Sequence, residues 1–397
     1  MMWFHFMPYP ELPEDFNTKH RSVWVDIDPG LFDRDVLASA YDEYIGQLVY
    51  AAECGFDGIC VNEHHNNGYG LMPSPTLIAA ILANRTEHAA ITVLGSSVAL
   101  YNPPLRVAEE FAMLDHISRG RLIAGFPVGT SMDTCYSYST NPSELRPRYY
   151  EGIDLILKAW EADKPFAFNG KFTQMRYVNP TPRPYQKRPP VWIPGGGSVE
   201  TWDFCAENDF VYGALTYYGV DMVRETVMSY WDRVAAHGKD DNPHRLAVTQ
   251  FVGVADTDAE AYRLYKEPAE YFFNRSLHVY PGFADPPGYV TETSVRARYK
   301  SAVRSVVRAK QAKHDLTFDE MIEKRYVVVG SPDTVRETLE AAGRELRIGH
   351  LCALLHFGNM SDELVRYNTR MFGEKVAPSL KQVFSEYDDP YWPEFAR

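Results

Sequence analysis

The sequence has no excess of positive charge. Its 40 lysines and arginines are outnumbered by 53 aspartates and glutamates, giving a net charge of −13, and a surface of that sign repels phosphate backbones and anionic headgroups. Neither nucleic acid nor a membrane surface is therefore expected as a partner. The local exception is Arg296, Arg298, Lys300, Arg304, Arg308 and Lys310, whose mostly helical spacing reads as a solvated helix face. Cysteine is scarce as well. The five residues Cys54, Cys60, Cys135, Cys205 and Cys352 are scattered and form no Cys-x-x-Cys pair, so neither a disulfide framework nor a zinc site is indicated, and the reducing cytoplasm is the expected compartment. The N-terminus lacks a basic leader, and no run approaches the roughly 18 apolar residues of a membrane span. A Gly-x-Gly-x-x-Gly following a strand is also missing, so no tightly bound nicotinamide is expected.

What is present is an ordinary globular composition, 45% hydrophobic over 397 residues. At about 150 residues per domain the length suggests two units, but α/β barrels routinely exceed about 250 residues as one. Short apolar runs alternate with amphipathic stretches, the pattern of repeated βα units around a parallel sheet. The strand candidates are Met2–Met7, Gly58–Asn62, Ile91–Leu100, Leu122–Phe126, Pro190–Pro194, Phe210–Leu215, Leu246–Val254 and Leu351–Phe357. Tyr326–Val329 is left over as a short edge piece outside the barrel. Helical patterns fall between the strands, among them Ser39–Cys54, Leu105–Ile117, Arg148–Trp160, Val199–Ala206 and Pro332–Gly343. The last begins with Ser331-Pro332, a capping residue and a first-turn proline. The resulting expectation is an α/β fold, a (β/α)8 TIM barrel in a single domain spanning 1–397. Insertions near 129–147 and 266–325 would lie at the C-terminal face of the strands, where such barrels carry their sites.

Two local features bear on chemistry. Glu53 to His65 contains a helix end, a glycine turn and a strand finishing in Asn62-Glu63-His64-His65. With a period of two, Asn62 and His64 share one face and Glu63 and His65 the other, so only one histidine can face the barrel mouth. A structural histidine remains an alternative reading. No metal is expected in the chain: at this motif adjacent strand histidines diverge and no third ligand is evident. The second feature is Gly195-Gly196-Gly197-Ser198, glycines at a strand end before a capping serine. Backbone N–H groups and a helix N-terminus there suit a phosphate, although a bare turn explains a glycine cluster equally well.

The blocks Asn62-Glu63-His64-His65, Tyr69-Gly70-Leu71-Met72-Pro73-Ser74-Pro75, Asn102-Pro103-Pro104-Leu105-Arg106-Val107-Ala108-Glu109-Glu110 and Met113-Leu114-Asp115-His116-Ile117-Ser118-Arg119-Gly120-Arg121-Leu122, in this order and spacing, resemble the luciferase-like flavin monooxygenases. The likeness continues through Pro189–Ile193, Gly330–Val335 and Phe357–Met360. It implies reduced FMN as cofactor, a separate flavin reductase as partner, and transfer of one oxygen atom from O2 to a small organic substrate. A homo-oligomer, dimer or tetramer, is the implied assembly. A deazaflavin-dependent hydride transfer and a non-catalytic flavin-binding protein are the competing readings.

By the same resemblance His64, with Asn62 beside it, is the catalytic position. Ser96 and Ser97 lie against the flavin ring, Gly196, Gly197 and Ser198 form the phosphate loop, and Val128, Gly129 and Thr130 line the phosphate channel. Several relatives carry an arginine where this chain has Val128, so the phosphate charge is expected to be met by Arg146 or Arg148, with Arg148 taken as the cofactor residue. Tyr136, Tyr138, Phe272, Phe273 and Tyr280 suit a water-excluding pocket, or ordinary lid packing.

Overall fold

The structure, a computed structural model, describes residues 1–215, 217, 219–292 and 315–396. Eight parallel strands close into a ring: β1 (Met2–Phe4), β2 (Gly58–Val61), β3 (Ala90–Val93), β4 (Leu122–Gly125), β7 (Val191–Gly195), β8 (Val211–Ala214), β9 (Leu246–Val254) and β11 (His350–Leu354). Closure is made by β8 on β9, with Tyr212 opposite Leu246, and by β11 on β1, with Cys352 opposite Met2. Helices between the strands cover the outside, as the βα alternation requires. The strands are apolar on both faces because side chains fill the barrel and helices coat it; all nine residues of β9 are buried.

Tyr326–Val329 corresponds to β10 (Val327–Gly330), which among the described residues pairs with the far end of β9 alone, Phe251 to Val254, and stays outside the ring. An antiparallel hairpin, β5 (Phe166–Asn169) with β6 (Gln174–Val178), has no counterpart among the expected strands. Three strands stop three or more residues before the end of their apolar runs. β1 stops at Phe4, and Met7 turns to φ 51°. β11 stops at Leu354. β3 stops at Val93, and the rest of the run Ile91–Leu100 forms the Leu94–Ser97 bend and a short 3-10 turn, Val98–Leu100. Gly95 approaches the next strand so closely that a Cβ would lie 2.0 Å from the Gly125 carbonyl oxygen, so no side chain fits there.

The helix expected at Arg148–Trp160 begins earlier and runs Pro142–Glu161, capped by Asn141. Much of the 129–147 segment is thereby helical, as a wide turn over Met132–Ser137 and the first turns of that helix. Within 266–325, the Pro281–Gly288 stretch contains a short helix, Pro281–Ala284. The basic run Arg296–Lys310 lies outside the described residues. Ser331 caps the helix Pro332–Leu346 as its sequence implied. Among the described residues, no helix is long and apolar enough to cross a membrane.

Candidate active site

The C-terminal ends of the strands open into a cavity of about 780 Å³, within the size range of small-molecule and cofactor sites. His64, just past the end of β2, lines it, and so do Asn62 and Glu63. The His64 ring is fixed from behind: Nδ1 lies 2.8 Å from Asp133 Oδ2, and Asp133 Oδ1 accepts from the His65 backbone N–H at 2.8 Å. Thr130 Oγ1 donates to Asp133 Oδ2 at 2.8 Å, and Asn67 Nδ2 to Oδ1 at 3.2 Å. Edges and faces of Trp24 and Tyr69 pack against the ring, each at 4.8 Å between centroids. A carboxylate can only accept, so the Nδ1 proton points to Asp133 and Nε2 is the nitrogen left for chemistry.

His65 turns the other way. Its Nε2 lies 2.7 Å from Glu63 Oε1, with both side chains buried, and Glu63 Oε2 accepts from the Ser97 N–H and the Tyr101 hydroxyl. Burial, with Glu63 adding to it, raises the Tyr101 phenol well above its usual range.

Opposite this wall stands the glycine loop. Gly196, Gly197 and Ser198 line the cavity, and Ser198 caps the helix Val199–Asn208 by accepting from the Thr201 N–H. Gly197 sits at φ 92°, a conformation that suits glycine. Arg146 reaches the loop from the helix Pro142–Glu161, its Nη2 donating to Ser198 Oγ at 3.2 Å. Among the described residues, its Nε and Nη1 are buried without a hydrogen-bond partner. Burial raises the Tyr150 phenol while the Arg146 guanidinium beside it pulls the other way. A guanidinium beside the positive end of a helix is unfavourable unless an anion lies between them. The donors therefore fit a phosphate.

Arg148 does not line the cavity. It points along the solvent side of its helix, where Nε and Nη2 donate to Glu144 Oε2 and the guanidinium lies 4.5 Å over the Phe172 ring. Val128, Gly129, Thr130 and Ser97 line the cavity, whereas Ser96 is buried behind it with its N–H on the Gly125 carbonyl.

Residues 27–349 match the family model of luciferase-like monooxygenases. The chain belongs to that family. It is 27% identical over 239 residues to the oxygenase component of a flavin-dependent trigonelline monooxygenase from Acinetobacter baylyi, a match covering 58% of this chain and 63%, under two thirds, of that relative. It is 24% identical over 351 residues to 2,5-diketocamphane 1,2-monooxygenase 2 from Pseudomonas putida, covering 83% and 91% of the two. A solved structure of the oxygenating constituent of 3,6-diketocamphane monooxygenase from Pseudomonas putida, in complex with FMN, superposes with a TM-score of 0.65 at 21% identity, covering 86% of this chain and 93% of that one.

Within this luciferase-like frame, several cavity residues carried no assigned role in the sequence. Asp133 is the most important. Trp24, Tyr69 and Tyr217 supply the aromatic wall: Trp24 stacks on Tyr69 at 4.2 Å, and the Tyr69 and Tyr217 hydroxyls lie 2.9 Å apart. The aromatics expected there lie elsewhere. Tyr136, Tyr138 and Tyr280 are exposed at the surface, while Phe272 and Phe273 belong to the core. The 266–325 segment nevertheless reaches the site, because the Tyr289 hydroxyl donates to the Gly129 carbonyl at 2.7 Å and Ser131 Oγ contacts the Phe283 and Ala284 carbonyls at 2.7 Å each.

Gly129 is a tight point of this wall. At φ 91°, its Cβ would lie 2.6 Å from Thr134 Cγ2 and 2.9 Å from Ser97 Oγ. Gly129→Ala is expected to cost about 1–3 kcal/mol, from backbone strain and overpacking together. A urea melt with an unchanged midpoint would show that the loop shifts freely.

Proposed function

We propose that this protein is the oxygenase component of a two-component monooxygenase, taking reduced FMN from a separate reductase and inserting one oxygen atom from O2 into a small organic substrate. The observation that carries this reading is the convergence of Arg146 Nε and Nη1, both buried without partners, with the Gly196–Ser198 loop at a helix N-terminus. It is a mononucleotide phosphate site at one end of a cavity whose other end holds His64. Reduced flavin, when bound, supplies the electrons that activate dioxygen.

The chain's own residues bind, shield and handle protons. Arg146 and the loop N–H groups hold the phosphate, and Val128 to Thr130 with Ser97 line the wall between phosphate and ring. Trp24, Tyr69 and Tyr217 present rings that exclude water, which otherwise diverts activated oxygen to hydrogen peroxide. His64 takes or gives a proton at Nε2, with Asp133 holding its orientation. Asn62, whose Oδ1 is buried without a partner, presents an acceptor beside it.

An anaerobic fluorescence titration tests the reading. Reduced FMN is expected to bind more tightly than oxidised FMN, and photoreduced FMN to support oxygen uptake at an electrode. Equal or tighter binding of a deazaflavin, without oxygen uptake, would overturn it in favour of hydride transfer. Flavin binding with no turnover of any kind would leave a binding protein.

A further inference from the structure

The opposite end of the barrel has its own cavity, of about 430 Å³, at the N-terminal ends of the strands. Two histidines and a carboxylate converge there. His350 opens β11, His244 lies in the 3-10 turn Pro243–Arg245 before β9, and Asp389 comes from the C-terminal segment. Asp389 Oδ2 is 3.6 Å from His350 Nε2 and 3.6 Å from His244 Nδ1. These are longer than hydrogen bonds. Among the described residues both buried nitrogens lack a hydrogen-bond partner, and the three ligand atoms lie within 4.8 Å of one another. His350 is 2% exposed.

We propose that this cluster is a binding site for one divalent transition-metal ion of the zinc class, held by His244 Nδ1, His350 Nε2 and Asp389 Oδ2, with a further position open to the cavity. Zinc–nitrogen and zinc–oxygen bonds of about 2.0–2.2 Å place tetrahedral ligand atoms roughly 3.3–3.6 Å apart, the spacing seen on both edges to Asp389. The remaining edge closes by small movements of two rings.

The surroundings are those of oriented ligands. Burial lowers the His350 pKa well below its usual value and lowers that of His244 as well, which keeps both rings in the neutral form a metal needs. Among the described residues, Nε2 of His350 and Nδ1 of His244 make no hydrogen bond and both lie 3.6 Å from the same Asp389 oxygen, so the three atoms are left to a cation between them. Trp192 and Trp392 flank the His350 ring at 4.7 and 5.8 Å, and Asp389 Oδ1 accepts from the Tyr391 N–H at 3.0 Å. A bound ion would tie the C-terminal segment to the base of β9 and β11, on the far side of the barrel from the flavin cavity.

The test uses the untagged full chain, stripped with a chelator and titrated with Co²⁺ and then Zn²⁺. One equivalent of Co²⁺ is expected, with visible d–d bands of a low-symmetry site that Zn²⁺ displaces, and a higher melting temperature with either ion. Asp389→Asn and His244→Gln, both partly exposed, are each expected to weaken binding by at least about tenfold, with circular dichroism and reduced-FMN affinity unchanged. Failure to bind one equivalent, or binding of unchanged affinity in either folded variant, would overturn the proposal.

Discussion

Arg146→Gln is expected to weaken the binding of reduced FMN by about 100-fold, while Arg148→Gln changes it by no more than about twofold. Hydrogen bonds to charged groups contribute about 1.5–3 kcal/mol each. The two free nitrogens of Arg146 can each offer one to a phosphate, so losing about 2.7 kcal/mol, or 100-fold, is a conservative figure. Arg148 already donates to Glu144 and covers Phe172, so its removal costs surface packing alone. Without flavin, Arg146→Gln is not expected to melt lower, because it removes a cation held beside a helix N-terminus with two unpaired N–H groups. Anaerobic titrations of both variants, paired with thermal melts, make the comparison. Should Arg148→Gln lose affinity while Arg146→Gln keeps it, the phosphate lies outside the Gly196–Ser198 loop.

The choice between these two arginines shows where the sequence was readable and where it was not. Residues two apart on a helix point about 200° apart, so at most one of them can face the site. That much was legible, but which one was not: the buried positions of that helix, Leu145, Tyr149, Gly152, Ile153, Leu155, Ile156, Ala159 and Trp160, leave Arg146 and Arg148 on the two flanks of the buried face. The contact of Arg146 with Ser198, 52 residues away in sequence, decides between them, and tertiary packing alone makes it. The hairpin β5–β6 was legible too, since Asn169-Gly170 between two short runs is a strong turn signal; its mostly exposed strands lack the apolar run that marked the others. The barrel strands themselves stood out because burial on both faces makes each a continuous apolar run. Their ends did not, because the bends after β1 and β3 are as buried as the strands. Asp133 had no local signature. Its role depends on a wide turn that brings it to His64, 69 residues away in sequence, and such a contact is made by tertiary packing alone.

His64→Ala is expected to release most of its reducing equivalents as hydrogen peroxide while keeping its melting temperature and flavin affinity; His65→Ala is expected to melt lower and stay coupled. Loss of a positioned acid–base group typically costs 10²- to 10⁴-fold in rate, and His64 Nε2 is the free nitrogen facing the cavity. His65 instead pairs with buried Glu63 at 2.7 Å. Without it Glu63 Oε1 is left unpaired, a cost of about 1–3 kcal/mol, while Oε2 still holds the Ser97 N–H against the cavity wall. Asp133→Asn separates orientation from folding. The amide oxygen can still accept from the His65 N–H, but its NH2 then donates to His64 Nδ1 and moves the ring proton to Nε2. The expected result is a folded enzyme with intact flavin affinity, raised peroxide yield and an altered pH profile of coupling, neither of which a purely structural carboxylate would produce. Peroxide formed per flavin oxidised, measured across pH for all three variants beside their melts, decides the assignment. If His65→Ala uncouples and His64→Ala does not, the wrong histidine has been placed at the reacting centre.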